Sequence, residues 1–235
     1  YLPLHPVVLH ISPESRQAEE DRGRCRRREP VAPEPHPGEA KGAVGGGSEA
    51  PPVEERLDIG LEILDRLNRR SFEIANAVMH TTGQGFMMAF QAGGPHAQDR
   101  GLEAVAYAWQ EMHRCPPTAT WTKRVSKTDS VTLEKTYHVV PRGVAVTVGC
   151  STFPTWNSYP GLFASLATGN PVVIKPHPGA ILPLAITVEV CREVLEECGF
   201  DPNLVLLACD TAEEPVTADL VTHDDVRIVD YTGGN

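Results

Sequence analysis

The chain has 235 residues, 41% of them hydrophobic and 22% charged, with a formal net charge of −10. That length allows one or two domains, and the acidic balance leaves no basic footprint for nucleic acid. No apolar stretch is long enough to span a bilayer as a helix. The six cysteines (Cys25, Cys115, Cys150, Cys191, Cys198, Cys209) fall at no C-x-x-C spacing, which predicts reduced cytoplasmic thiols, no disulfide framework and no metal site.

Residues 1–52 carry no helical or strand period. A basic run, Arg22 to Arg28, is followed by a proline-rich stretch from Pro30 to Pro37 and by Gly45-Gly46-Gly47. This composition predicts a disordered or atypical N-terminal segment. From Glu54 a helical period begins: Leu57, Leu61, Leu64, Phe72, Ala75 and Met79 share a face, predicting one helix to about His80, ended or bent by Gly83 and Gly85. A short segment, Phe86 to Ala92, precedes Gly93-Gly94, and Pro95 suits the first position of a further helix. Leu102, Val105, Ala106, Trp109 and Met112 form its expected apolar stripe, with Trp109 in the core. Trp121–Ser126 and Val131–Val140 alternate around Lys127-Thr128-Asp129-Ser130, which predicts a hairpin. A hairpin placed ahead of a parallel sheet is free to pair with a second subunit, so a homo-oligomer is expected. Residues 53–142 are thus expected to form N-terminal helices and a hairpin.

The remainder, 143–235, reads as strands alternating with helices. Gly143 to Cys150 and Pro171 to Lys175 are continuous apolar, β-branched runs, too apolar for a sheet with one wet face, and a helix-like segment joins them. They predict parallel strands covered on both faces. A helix starting at Pro183 puts Leu184, Val188, Cys191, Leu195 and Cys198 on one face and ends at Gly199. Strands at Leu204–Ala208 and Val226–Asp230 follow, with a poorly patterned connection from Glu213 to Val221. The fold class is α/β, the first part of a doubly wound parallel sheet. Tyr1 and Asn235 both read as cut ends, so the chain is expected to be an N-terminal fragment of a longer protein.

Ligands of such sheets bind beyond the carboxyl ends of the strands. Phe153-Pro154 and Lys175 stand at two of those ends, and Tyr231-Thr232-Gly233-Gly234-Asn235 at a third. A cation at 175 suits a ribose or a phosphate; the plainer alternative is a strand-end lysine that reaches solvent. Cys150 also closes a strand, but a small buried filler is the favoured reading over a nucleophile. His177 lies between two prolines with no second metal ligand near it in sequence.

Taken together, Pro141-x-Gly143-Val144 leading to Phe153-Pro154, then Gly169-Asn170-x-Val172-Val173-x-Lys175-Pro176, then Tyr231-Thr232-Gly233 resemble the aldehyde dehydrogenase superfamily over residues 54–235. The stretch from Phe153 to Pro171 further resembles its phenylacetic acid degradation (PaaN-type) branch, which oxidises a semialdehyde formed by ring opening of a coenzyme A thioester. The resemblance implies NAD(P)-dependent oxidation of an aldehyde to the acid. A cysteine thiolate attacks the aldehyde, hydride leaves to the nicotinamide, and a glutamate-activated water hydrolyses the thioester. It implies that Lys175, with Pro176 and His177 beside it, meets the adenosine ribose, that Phe153 and Pro154 shape the cofactor cleft, and that Gly233 lets the backbone approach the pyrophosphate.

Three departures from the family pattern carry expectations of their own. Ser151-Thr152 stands where the family has Trp-Asn, so Thr152 is the candidate donor to the oxyanion and Asn157 the alternative. Pro178 stands where NAD-preferring members often carry a glutamate, which predicts NADP used at least as well as NAD, through Lys175. The nucleophilic cysteine and the glutamates of the family match no residue up to Asn235, so the polypeptide alone is expected to be inactive. The competing expectation is a non-catalytic nucleotide-binding or structural homologue.

Overall fold

The computed structural model describes residues 53–233, which belong to a single unit. The expected disordered segment and the Gly234-Asn235 end of the glycine turn lie outside the described residues. Four helices come first: α1 (Val53–Arg69), α2 (Ser71–Thr82), α3 (Phe86–Gly93) and α4 (Pro95–Met112). A hairpin of β1 (Thr118–Arg124) and β2 (Ser130–Thr136) follows. Then come β3 (Val144–Val148), α5 (Pro154–Ala167), β4 (Val172–Lys175), α6 (Ile181–Glu197), β5 (Val205–Leu207), α7 (Thr217–Val221) and β6 (Val226–Tyr231). Among the described residues no helix is long and apolar enough to cross a membrane.

The sheet is parallel in the order β5-β4-β3-β6. Its middle strands are the two β-branched runs. Ala145, Val146 and Thr147 are buried in succession, as are Ile174 and Lys175, so both faces of the centre are covered. Helix α5 connects β3 to β4 and presents Tyr159, Leu162 and Phe163, all fully buried. Phe163 meets Tyr159 edge-on at 5.5 Å between ring centres. The Thr187 hydroxyl donates to the Pro183 carbonyl, 2.9 Å, and so accepts from Tyr159 Oη, 3.0 Å. Helix α6 buries Leu184, Val188, Cys191 and Leu195 on the expected face and is closed by Gly199 at φ +84°. It starts two residues earlier than Pro183, which then sits in the first turn, where a missing N–H costs no intrahelical bond.

The long first helix is two helices. The chain breaks at Arg70, and Ser71 Oγ donates to the Asn68 carbonyl at 2.7 Å, while Arg70 reaches both Glu73 (2.7 Å) and Glu189 of α6 (3.0 Å). No glycine or proline marks the break; beside the local contacts to Asn68 and Glu73, it is held from other helices by Glu189 and by Gln98 Nε2, which donates to Ser71 Oγ at 3.0 Å. As a result Phe72 is left exposed and stacks with Phe86 and Phe90, while Ile74, Ala75, Ala77 and Val78 turn inward. Leu61 is exposed as well, and α1 buries Leu57, Ile59, Ile63, Leu64 and Leu67. Gly83, at φ +73°, ends α2 as expected.

Trp109 is not in the core. It is exposed and packs on His113, and Leu102 is exposed beside it. Of the expected stripe Val105 is buried and Met112 packs against the core, and the rest of the buried face of α4 is Ala97, Gln98, Gly101 and Ala108. The reason is proximity: a Cβ at Gly101 would stand 2.7 Å from Leu64 Cδ2 and 2.8 Å from Phe163 Cδ2. Close approach of α4 to α1 and α5 selects small residues over large ones. The hairpin follows its prediction to within a few residues, its register running from Thr118↔Thr136 to Arg124↔Ser130. Its second strand stops at Thr136, short of the predicted Val140.

Candidate functional site

The carboxyl ends of β3, β4 and β6 and the loop after β5 enclose an open crevice of about 350 Å³. It is lined by Gly149 and Cys150 after β3, Lys175 and His177 after β4, Asp210 and Thr211 after β5, and Tyr231 and Gly233 at β6. The topology makes this inevitable: parallel strands deliver all their carboxyl ends to one edge. Asn170 sets the register that starts it. Its Oδ1 accepts from the backbone N–H groups of Arg142 (2.7 Å) and Gly143 (3.1 Å), and its Nδ2 donates to Thr168 Oγ1 (2.8 Å). Gly169, at φ +82°, lets the chain turn from α5 into that position.

Lys175 does not reach solvent. Its side chain is 4% exposed, its ammonium donates to the Pro176 carbonyl at 2.8 Å, and it lies 2.7 Å from Oδ1 of Asp210, whose side chain is 2% exposed. Asp210 Oδ2 accepts from Val216 N at 3.1 Å. Oδ1 has the ammonium as its ion partner but accepts no directed hydrogen bond. Burial raises the Asp210 carboxyl, but the Lys175 ammonium and the Val216 N–H lower it by more, so it sits below the ordinary carboxylate range. Removing either partner of such a pair strands the other charge, at about 3–5 kcal/mol.

The remaining predicted residues fall in three places. His177 and Gly233 line the crevice with Lys175; Nδ1 of His177 accepts from Gly179 N at 3.0 Å, which fixes the ring as part of its turn. Pro176 contributes its carbonyl to Lys175. A Cβ at Gly233 would meet the exposed end of the Tyr231 ring, which would have to swing aside. Phe153 and Pro154 do not line the crevice. Pro154 is buried at the first turn of α5, and Phe153 packs against Trp156 with ring centres 6.1 Å apart. Thr152 is exposed at that turn, its carbonyl accepting from Gln84 Nε2. Asn157 Nδ2 donates to Cys150 Sγ at 2.9 Å, and Phe153 N approaches the same sulfur at 3.4 Å. Cys150 is half-buried and free, held by two N–H donors at the crevice wall. Among the described residues no cluster of His, Cys, Asp and Glu could hold a metal. Asp210 is the residue that sequence reasoning did not single out.

A family model described as the aldehyde dehydrogenase family matches residues 39–235. The chain belongs to that family. Among solved structures, an NAD-dependent aldehyde dehydrogenase from Burkholderia multivorans is 57% identical, with a TM-score of 0.73, over 76% of this chain and 32% of its own. An NADP-dependent glyceraldehyde-3-phosphate dehydrogenase from Bacillus halodurans, complexed with NADP, is 20% identical with a TM-score of 0.61, over 76% of this chain and 35% of its own. A 1-pyrroline-5-carboxylate dehydrogenase from Thermus thermophilus is 22% identical with a TM-score of 0.59, over 76% and 32%. The last two support the fold alone. The chain therefore spans about a third of the length of these aldehyde dehydrogenase-fold structures. A comparison with curated proteins gives no match.

The residues of the crevice fit the adenosine half of a dinucleotide. Asp210 lines the crevice beside Lys175, its Oδ1 buried 2.7 Å from the ammonium and accepting no directed hydrogen bond. At Gly149, which also lines the crevice, a Cβ would press on the buried Leu184 at 2.8 Å, so close packing against α6 keeps that residue bare. The expectation for NADP took Lys175 as an available cation, and in the structure that cation already has a carboxylate partner.

Proposed function

We propose that the whole protein oxidises an aldehyde to the carboxylic acid with NADP or NAD as acceptor. The observation that carries the reading is the buried Lys175 at the mouth of a crevice built from three parallel strand ends. When bound there, the dinucleotide would supply a hydride acceptor. Lys175 would hold the ribose, Asp210 Oδ1 would accept a hydrogen bond from a ribose hydroxyl, and Gly233 would let the backbone meet the pyrophosphate. The substrate we propose is a coenzyme A-linked semialdehyde from phenylacetate ring opening, on the likeness of the Phe153–Pro171 stretch to that branch. We place the protein in the cytoplasm as a homo-oligomer, with the exposed hairpin as the partner surface.

None of the six cysteines matches the family's nucleophile, so the 235-residue polypeptide alone is expected to turn over no aldehyde. The test is absorbance at 340 nm, using the full-length protein, NAD or NADP, and a panel of aldehydes with and without a coenzyme A thioester. Reduction of the dinucleotide by the full-length protein and not by the 235-residue chain is the expected outcome. Dinucleotide binding without turnover by the full-length protein would leave the second reading, a non-catalytic nucleotide-binding homologue. Ser151-Thr152, in place of the family's Trp-Asn, is the feature that favours it.

A further inference from the structure

We propose that Asp210 is a specificity-determining residue that acts against a 2′-phosphate on the adenosine ribose. This rests on the dinucleotide reading above. Lys175 is the cation that a 2′-phosphate would seek, and its ammonium has three protons. One goes to the Pro176 carbonyl, and the ammonium lies 2.7 Å from Asp210 Oδ1 as its ion partner. What a ligand meets at the crevice is therefore not a bare positive charge but an ion pair with little net charge, one end of which is an anion.

The geometry puts that anion in the crevice wall, beside the cation. β5 pairs with β4, and Ala208 N extends the pairing to the Ile174 carbonyl at 2.8 Å. The loop that follows brings Asp210 in beside Lys175, and Val216 N holds the carboxylate by Oδ2. Oδ1 is left at the crevice wall as a buried acceptor with no directed hydrogen bond. A ribose hydroxyl can donate to that oxygen. A phosphate, all acceptors and carrying close to two negative charges, cannot, and it would be repelled within the same few ångströms that attract it to Lys175. The side chain three residues after Lys175 is Pro178, which neither accepts nor repels. The discrimination that a carboxylate at 178 would exert is thus exerted from the loop after β5.

The test uses the full-length protein and two probes that differ by one 2′-phosphate, 5′-AMP and 2′,5′-ADP, with dissociation constants from titration calorimetry. D210N keeps the shape and the acceptor for Val216 N while removing the charge. It is expected to improve the affinity for 2′,5′-ADP relative to 5′-AMP by tenfold or more. If D210N does not fold, D210S, which also removes the charge, is read the same way. An unchanged ratio, with both probes weakened equally, overturns the proposal and leaves Asp210 as a residue that only positions Lys175. A wild-type preference of more than tenfold for 2′,5′-ADP also overturns it. If neither probe binds the wild type, and NAD and NADP do not bind either, the dinucleotide reading itself has failed, a result distinct from the other two.

Discussion

Replacing Asn170 by alanine should loosen the start of β3 and leave the rest of the sheet in place. Asn170 is 3% exposed and its Oδ1 ties down two backbone N–H groups, Arg142 and Gly143, immediately before the strand. The next backbone bond, Ala145 N to the Pro171 carbonyl at 2.8 Å, begins the β3–β4 ladder. At about 0.5–1.5 kcal/mol for each net hydrogen bond, N170A should cost about 1–3 kcal/mol of local stability. That corresponds to an increase of roughly 5- to 150-fold in amide exchange over residues 142–145, since local opening sets the rate. Hydrogen–deuterium exchange with mass spectrometry reads this directly. N170D supplies the control. One carboxylate oxygen can still accept both N–H groups, but the other now faces Thr168 Oγ1, whose proton goes to the Ala164 carbonyl at 2.7 Å. N170D should therefore keep 142–145 protected and lose protection at Thr168 instead. Exchange over 142–145 within twofold of wild type in N170A, or equal loss there in both variants, would refute the assignment of Asn170 as the clamp.

Three further outcomes follow from packing, charge and surface. In G101A the helix gains about 0.5–1 kcal/mol of propensity, but the new Cβ presses on Leu64 and on Phe163, which is fully buried. Overpacking of about 1–3 kcal/mol should win, lowering Tm by a few degrees, whereas G85A, with no atom within 4 Å of its new Cβ, should not; a higher Tm for G101A would contradict this packing. Burial raises the Asp230 carboxyl above its ordinary value. The unfolded chain then gives up that proton first as pH rises, so stability falls from the ordinary Asp range, near pH 4, up to the folded value. D230N should be the more stable protein at pH 7, with the difference closing below about pH 4; a gap that widens in acid would reverse the sign. Trp121 stands opposite Leu133 on the exposed hairpin, and W121E in the full-length protein should lower the sedimentation coefficient to that of a monomer if this face is the subunit contact.

How far the sequence reached depended on whether a signal was local. The β3–α5–β4 unit was legible because its strands are β-branched runs and its turns carry glycine and proline, and α6 because its buried face holds large residues at helical spacing. The break at Arg70 was not, since no glycine or proline marks it and part of what holds it, Glu189 and Gln98, lies far along the chain. Trp109 misled for a related reason: periodicity weighs large apolar side chains, while the interface of α4 is built from Gly101, Ala97 and Ala108 because the helices approach too closely for anything larger. In the site, Lys175 was legible from its place at a strand end. Asp210 was not, because it sits in a loop of weak pattern and meets Lys175 only through the order of the strands. A physical signal was nevertheless available. A lysine flanked by Ile174 and Pro176 at the end of a covered strand is desolvated, and a desolvated ammonium needs an anion within contact distance. In a parallel sheet the candidates are acidic residues just past the ends of the adjacent strands, and after β5 the first one is Asp210. The same requirement that explains why the pair persists also fixes what it offers a ligand. A cation recruited alone would favour phosphate, whereas one that needs a carboxylate to stay buried presents a hydroxyl-accepting oxygen beside it.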